Sequence, residues 1–110
     1  MDLSNNFRGE YTVTFKGKET KALFTMNAIR LILNGEKIQL PDFEKWVGED
    51  PLTAIPSIAY YSVMNWHVRN GKKFGAAKEQ FIAEMLDEDG NLETISDAIS
   101  VAMSTGEEGK

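Results

Sequence analysis

Between Ile55 and Val68 two apolar stripes run side by side at helical spacing: Ile55, Ala59, Ser62, Val63 and Trp66 in one, and Ile58, Tyr61, Met64 and Val68 in the other. Together they take up well over half of a helix circumference, more than a surface helix needs. A helix of this kind has to be surrounded by other elements. At 110 residues the chain is the size of one domain built on one hydrophobic core. We therefore expect a single compact domain over residues 1–104, with residues 1–9 as a flexible lead-in and 105–110 as a disordered tail.

The elements around that helix can be read in order. In EYTVTFK, Tyr11, Val13 and Phe15 alternate with Thr12 and Thr14, which is the period of a strand. Gly17-Lys18 supplies a turn, and Ala22 and Phe24 continue the alternation, so the spacing predicts a β-hairpin from Glu10 to Phe24. Thr25 is placed to cap a first helix, Met26 to Asn34, whose apolar side is Met26, Ile29, Ile32 and Leu33 and whose stop is Asn34-Gly35. Pro41 opens a short helix with Phe43, Trp46 and Val47 on its apolar side, ending at Gly48.

The start of the central helix is set by Pro56. A start at Asp50-Pro51 would put Pro56 beyond the first turn, where its missing N–H costs a hydrogen bond, so Thr53 is the expected cap. Asn70-Gly71 ends this helix. Ala76 to Asp87 reads as another, with Ala77, Phe81, Ile82, Met85 and Leu86 inward. Asp87 to Asn91 is a turn, and Thr94 to Ser104 forms a last amphipathic helix through Ile95, Ala98, Ile99, Ala102 and Met103. The fold class is α+β, an N-terminal β-hairpin followed by four to five helices and mostly helical.

The formal charge of −5 is unevenly spread: Met1 to Lys78 carries 11 basic and 8 acidic residues, Glu79 to Lys110 carries 1 basic and 9 acidic. An acidic final third repels phosphate, which argues against nucleic acid as a partner. The chain has no cysteine, so thiolate chemistry and cysteine zinc sites are excluded, and a cytoplasmic protein is expected. Neither a signal-peptide run nor an apolar stretch of membrane-spanning length is legible, so no membrane partner is expected.

Chemical motifs fail on inspection. The run LDEDGNLETISD suggests a calcium loop, yet Gly90 in the sixth position puts Met85 first and Ser96 twelfth, and Asp87 in the first position puts Leu92 sixth. Gly71-Lys72-Lys73 lacks the upstream glycine and the hydroxyl residue of a phosphate loop. His67 is the sole histidine, with no nucleophile or orienting acid beside it in sequence. Glu79, Glu84 and Asp87 lie on a polar helix side, and Arg69, Lys72 and Lys73 are too few for a nucleic-acid footprint. The expectation is a protein without catalytic residues, metal or cofactor.

The order of elements, with YTVTFKGKETKALFT leading into FTMNAIRLIL, then the apolar helix IAYYSVMNWHVRNGKKF and the acidic helix LETISDAISVAM, resembles the phage tail assembly chaperones of long-tailed bacteriophages and prophages. The resemblance spans Tyr11 to Met103; the bulk of Tyr60, Tyr61 and Trp66 and the proline at Pro56 depart from it. It implies a non-enzymatic, cytoplasmic protein of tail morphogenesis that binds the tape measure protein and tail tube protein until polymerisation starts. Homo-oligomers are compatible with it. Met26, Met64, Met85 and Met103 would give a partner groove deformable contacts. Candidate partner-binding residues are Ile95, Ile99, Ala102 and Met103 on the last helix, where an end element is easiest to leave partly uncovered, followed by Tyr60 and Trp66. The competing reading is a minor structural protein, such as a head–tail connector or tail completion protein, that stays in the particle.

Overall fold

A computed structural model describes residues 9–87, 91–97 and 99. Its elements are β1 (Glu10–Phe15), β2 (Lys18–Leu23), α1 (Met26–Glu36), a 3₁₀ turn (Leu40–Asp42), α2 (Phe43–Glu49), α3 (Pro51–Arg69) and α4 (Lys78–Asp87). Residues 91–97 are helical as well and are called α5. The architecture is the expected α+β one, a two-stranded antiparallel hairpin followed by helices.

The hairpin turns at Lys16-Gly17, one residue earlier than the sequence suggested, and Lys18 is the first residue of β2. Both turn residues have positive φ, 54° and 76°, the two-residue geometry whose twist matches that of paired strands. Phe15 faces Lys18, Val13 faces Thr20 and Tyr11 faces Ala22. Val13, Ala22 and Phe24 are buried, while Tyr11 and Phe15 pack half-buried against the same core. At the open end of the hairpin Phe24 donates its N–H to the Gly9 carbonyl at 2.9 Å.

α3 is the hub predicted from its stripes, packing against β2, α1, α4 and α2. Its start differs from the expectation. Asp50, not Thr53, stands at the N-cap position, Pro51 opens the helix, and Pro56 lies inside it. The Asp50 carbonyl accepts from Thr53 and Ala54 at 3.1 and 2.7 Å, which closes the first turn before Pro56. The bond that Pro56 cannot make would have gone to Leu52, and Leu52 is exposed, so water can serve its carbonyl. Pro56 itself is buried.

Other boundaries move for identifiable reasons. α1 runs past Asn34-Gly35, and the left-handed residue that closes it is Lys37, at φ 59°, followed by a bond from Ile38 N–H to the Leu33 carbonyl at 3.1 Å. Gly35 is glycine for space instead, since a Cβ there would stand 2.1 Å from the Tyr61 hydroxyl. α2 likewise passes Gly48 and ends at Glu49. α3 does stop at Asn70-Gly71, with Gly71 at φ 69° and Lys72 N–H bonded to the His67 carbonyl at 2.7 Å. α4 begins at Lys78 and not Ala76; the Ala77 carbonyl takes its first helical bond, from Phe81 at 2.9 Å. α5 is already helical at residue 91, ahead of the expected Thr94. Of the turn expected from Asp87 to Asn91, both end residues are helical and 88–90 lie outside the described residues, as does the helix end expected at Ser104.

Candidate partner-binding surface

Among the described residues the large apolar side chains left exposed are Met26, Leu40, Leu52, Val68 and Leu86, and the first of them belongs to an apolar row on α1. Met26, Ile29 and Leu33 follow at the spacing that puts side chains on one helix face. Met26 is 69% exposed, Ile29 and Leu33 are half-buried. The segment after α1 folds back across this row. Leu40, Pro41, Phe43 and Glu44 line one cleft with Ile29, and Ile38 and Leu40 line a second with Leu33 and Lys37. Leu40 borders both clefts and is 54% exposed, and the two clefts that share it are together called the trough. Its floor is the buried Phe43, stacked on Phe24 with ring centroids 6.5 Å apart.

A second concavity lies at the end of α3. Trp66, Arg69 and Asn70 face Glu10 and Leu23 across a cleft of about 360 Å³. The Lys72 ammonium stands 5.8 Å from the centre of the Trp66 ring. Trp66 is half-buried, so its ring offers the cleft one accessible wall.

The residues singled out from sequence do not gather in one place. Ile95 is fully buried and Ile99 is 9% exposed, both within the core cluster, so neither faces outward while α5 is docked. Ala102 and Met103 lie outside the described residues. Tyr60 is half-buried, its ring packed among Tyr61, Phe74 and Phe81 and its hydroxyl donating to the Ala76 carbonyl at 3.2 Å. Of the four methionines expected to serve a partner groove, Met85 is core, Met64 is half-buried, Met103 is outside the described residues and Met26 is exposed at the start of α1. Met26 and Leu40 carried a weak signal: each is a large apolar residue at a helix start, where it can sit outside the buried face.

Polar side chains inside the fold are mostly structural. Asn65, fully buried in α3, donates to the Leu23 carbonyl at 2.9 Å and to the Thr25 hydroxyl at 3.0 Å, and accepts from Asn27 at 2.8 Å. The Thr25 hydroxyl is therefore occupied and does not cap α1, contrary to the expectation; Thr25 keeps the N-cap position through its extended backbone alone. His67 lies 2.8 Å through Nδ1 from the Val63 carbonyl one turn back and packs on Phe74, which makes it a helical surface residue. Among the described residues no group of three His, Asp or Glu side chains could hold a metal ion. No described helix is long and apolar enough to cross a membrane.

Two phenols are the most strongly perturbed ionisable groups among the described residues, and the one with a charged partner is Tyr61. Its hydroxyl donates to Glu36 at 3.2 Å, and Glu36 also pairs with Lys78, whose ammonium lies 5.8 Å from the centre of the Tyr61 ring. Burial, then the charge and hydrogen bond of Glu36, then Tyr60, push the phenol up to about 12. Burial pushes Tyr11 up further, opposed in part by the Ser62 hydroxyl beside it. The two hydroxyls face each other without the geometry of a full hydrogen bond, and with that of Ser57 they are buried without a partner among the described residues. A phenol held neutral to high pH is a poor base, and these groups face packed interior instead of a cleft.

No family model, no curated protein and no solved structure matches this chain.

Proposed function

We propose that this chain is a phage or prophage tail assembly chaperone that acts by transient protein binding, covering an apolar segment of the tape measure protein or of the tail tube protein until tail polymerisation begins. The observation that carries this reading is the trough along α1, where the exposed Leu40 lies beside Ile29 and Leu33 and the exposed Met26 continues their row on the helix. Exposed apolar surface beside adjoining clefts favours a protein partner, and an amphipathic helix laid along α1 is the mode proposed. Methionine and leucine at the rim adapt to segments of differing sequence. The negative charge of the chain keeps a loaded complex soluble. The order of elements from Tyr11 to Met103 supports the tail-assembly setting.

The test is co-purification with tape measure and tail tube proteins encoded beside the gene, using the intact chain and two variants, Met26→Asp and Leu40→Asp. Met26 is the first residue of α1, where a carboxylate favours the helix, so this variant folds. A bound tape measure or tail tube protein, released about tenfold more easily by either variant, is the expected result. Binding indifferent to both variants rejects the trough. Retention of a portal or head-completion protein instead replaces the chaperone reading by that of a connector.

A further inference from the structure

The hairpin has two outer edges, and they are closed by different means. The two-residue turn makes Phe15 and Lys18 the first hydrogen-bonded pair, and the alternation of an antiparallel ladder continues through Val13 and Tyr11 to the Phe24–Gly9 bond. Thr14, Thr12 and Glu10 consequently turn their N–H and C=O groups away from β2 along the edge of β1. On β2 the outward residues are Glu19, Lys21 and Leu23. The Leu23 carbonyl is taken by Asn65, which is fixed in the middle of α3.

On the β1 edge, Asn91 donates Nδ2 to the Thr14 carbonyl at 3.0 Å and accepts the Thr14 N–H on Oδ1 at 3.1 Å. A carboxamide is the same chemical group as a peptide bond, and these two bonds are those that a residue of a neighbouring strand would make. Asn91 is 4% exposed and belongs to α5, so among the described residues a single helical amide supplies the hydrogen bonds on this edge.

We infer that the β1 edge is a strand-addition site whose occupant is the β1 strand of a second copy of this chain, with Asn91 as the group that competes for it. Antiparallel pairing about Thr12 sets Thr12 against Thr12 and Glu10 against Thr14 of the other copy, a register with no like charges opposed and with threonine pairs that favour sheets. The same operation about Lys21 on β2 would set lysine against lysine, a common protection of edge strands. The paired register also needs both polar groups of Thr14, the two that Asn91 holds, so strand addition and the Asn91 contact exclude each other. This inference stands apart from the proposed function and from the trough on α1.

Sedimentation velocity of the full chain over a concentration series tests it, with Asn91→Ala, Asn91→Asp and the double variant Asn91→Ala/Thr12→Glu. Asn91→Asp keeps the size of the side chain and can still accept the Thr14 N–H but cannot donate to the Thr14 carbonyl, so the test survives a folding failure of the alanine variant. Glu at position 12 lies opposite Lys21 within its own hairpin but opposite itself across the dimer. The inference expects the single variants to self-associate about tenfold more tightly than the parent or better, and the double variant to return to monomer. Single variants that associate no more than the parent, or dimers indifferent to Thr12→Glu, overturn it.

Discussion

Asn65 is the polar residue most committed to this fold. It sits fully buried in the hub helix, and its amide joins the end of β2, the residue before α1 and, through Asn27, α1 itself. A buried amide is tolerated when its hydrogen bonds are made, and its removal orphans the groups it served. Asn65→Ala leaves the Leu23 carbonyl without its amide donor and opens a small cavity, so a loss of about 3 kcal/mol is expected, read as a lower urea midpoint with unchanged slope. Asn27→Ala, at the half-buried end of the network, should cost less than half of that. Nothing in the periodicity of SVMNWHV marks position 65, because one asparagine in an apolar run reads as the polar side of a helix. Its role depends on a carbonyl 42 residues away, at the end of a strand. Gly35 was visible for the wrong reason: Asn34-Gly35 has the composition of a helix stop, while the glycine answers to the tyrosine pressed against it from α3.

Helix ends show where local chemistry decides and where packing overrides it. α3 stops at Asn70-Gly71 as composition suggests, because a left-handed residue was needed there and glycine supplies it. α1 continues two residues beyond its apparent stop and gives that conformation to Lys37. A side chain at φ 59° carries a steric cost that glycine lacks. Lys37→Gly should therefore stabilise the domain by roughly 1 kcal/mol, less the backbone entropy glycine brings to the unfolded chain. Thermal unfolding should show the gain, and a variant with unchanged or lower Tm would mean that the lysine side chain contributes more than its conformation costs. The hairpin and the hub were legible because alternation and over-wide apolar coverage are properties of contiguous residues. The start of α3 was not, since the rule against interior proline assumes that the orphaned carbonyl is buried, whereas Leu52 is on the surface.

At the scale of the whole molecule, the candidate surfaces belong to tertiary structure. The last helix appeared amphipathic enough to offer Ile95 and Ile99 to a partner, yet the core ends up short of cover beside β1 and takes both. The α1 trough is assembled from α1 and the segment that crosses it, which no stretch of sequence displays by itself. The same dense core holds Tyr11 and Tyr61 neutral and gives the domain an alkaline weakness with a definite sign. Both phenols titrate higher in the folded state than the ordinary value of 10. Below pH 10 they are protonated whether the chain is folded or not, and the advantage of the folded state is intact. Above it the unfolded chain releases protons that the folded chain still holds, so stability falls with rising pH until Tyr61 itself ionises at about 12. Urea midpoints measured in steps upward from pH 8 should stay level to about 10 and then drop. Phenylalanine cannot ionise, so Tyr61→Phe, though less stable at neutral pH for want of the Glu36 hydrogen bond, should lose midpoint less steeply over that window, and Tyr11→Phe should do the same. Equal slopes in the parent and both variants would leave the two tyrosines out of the alkaline loss.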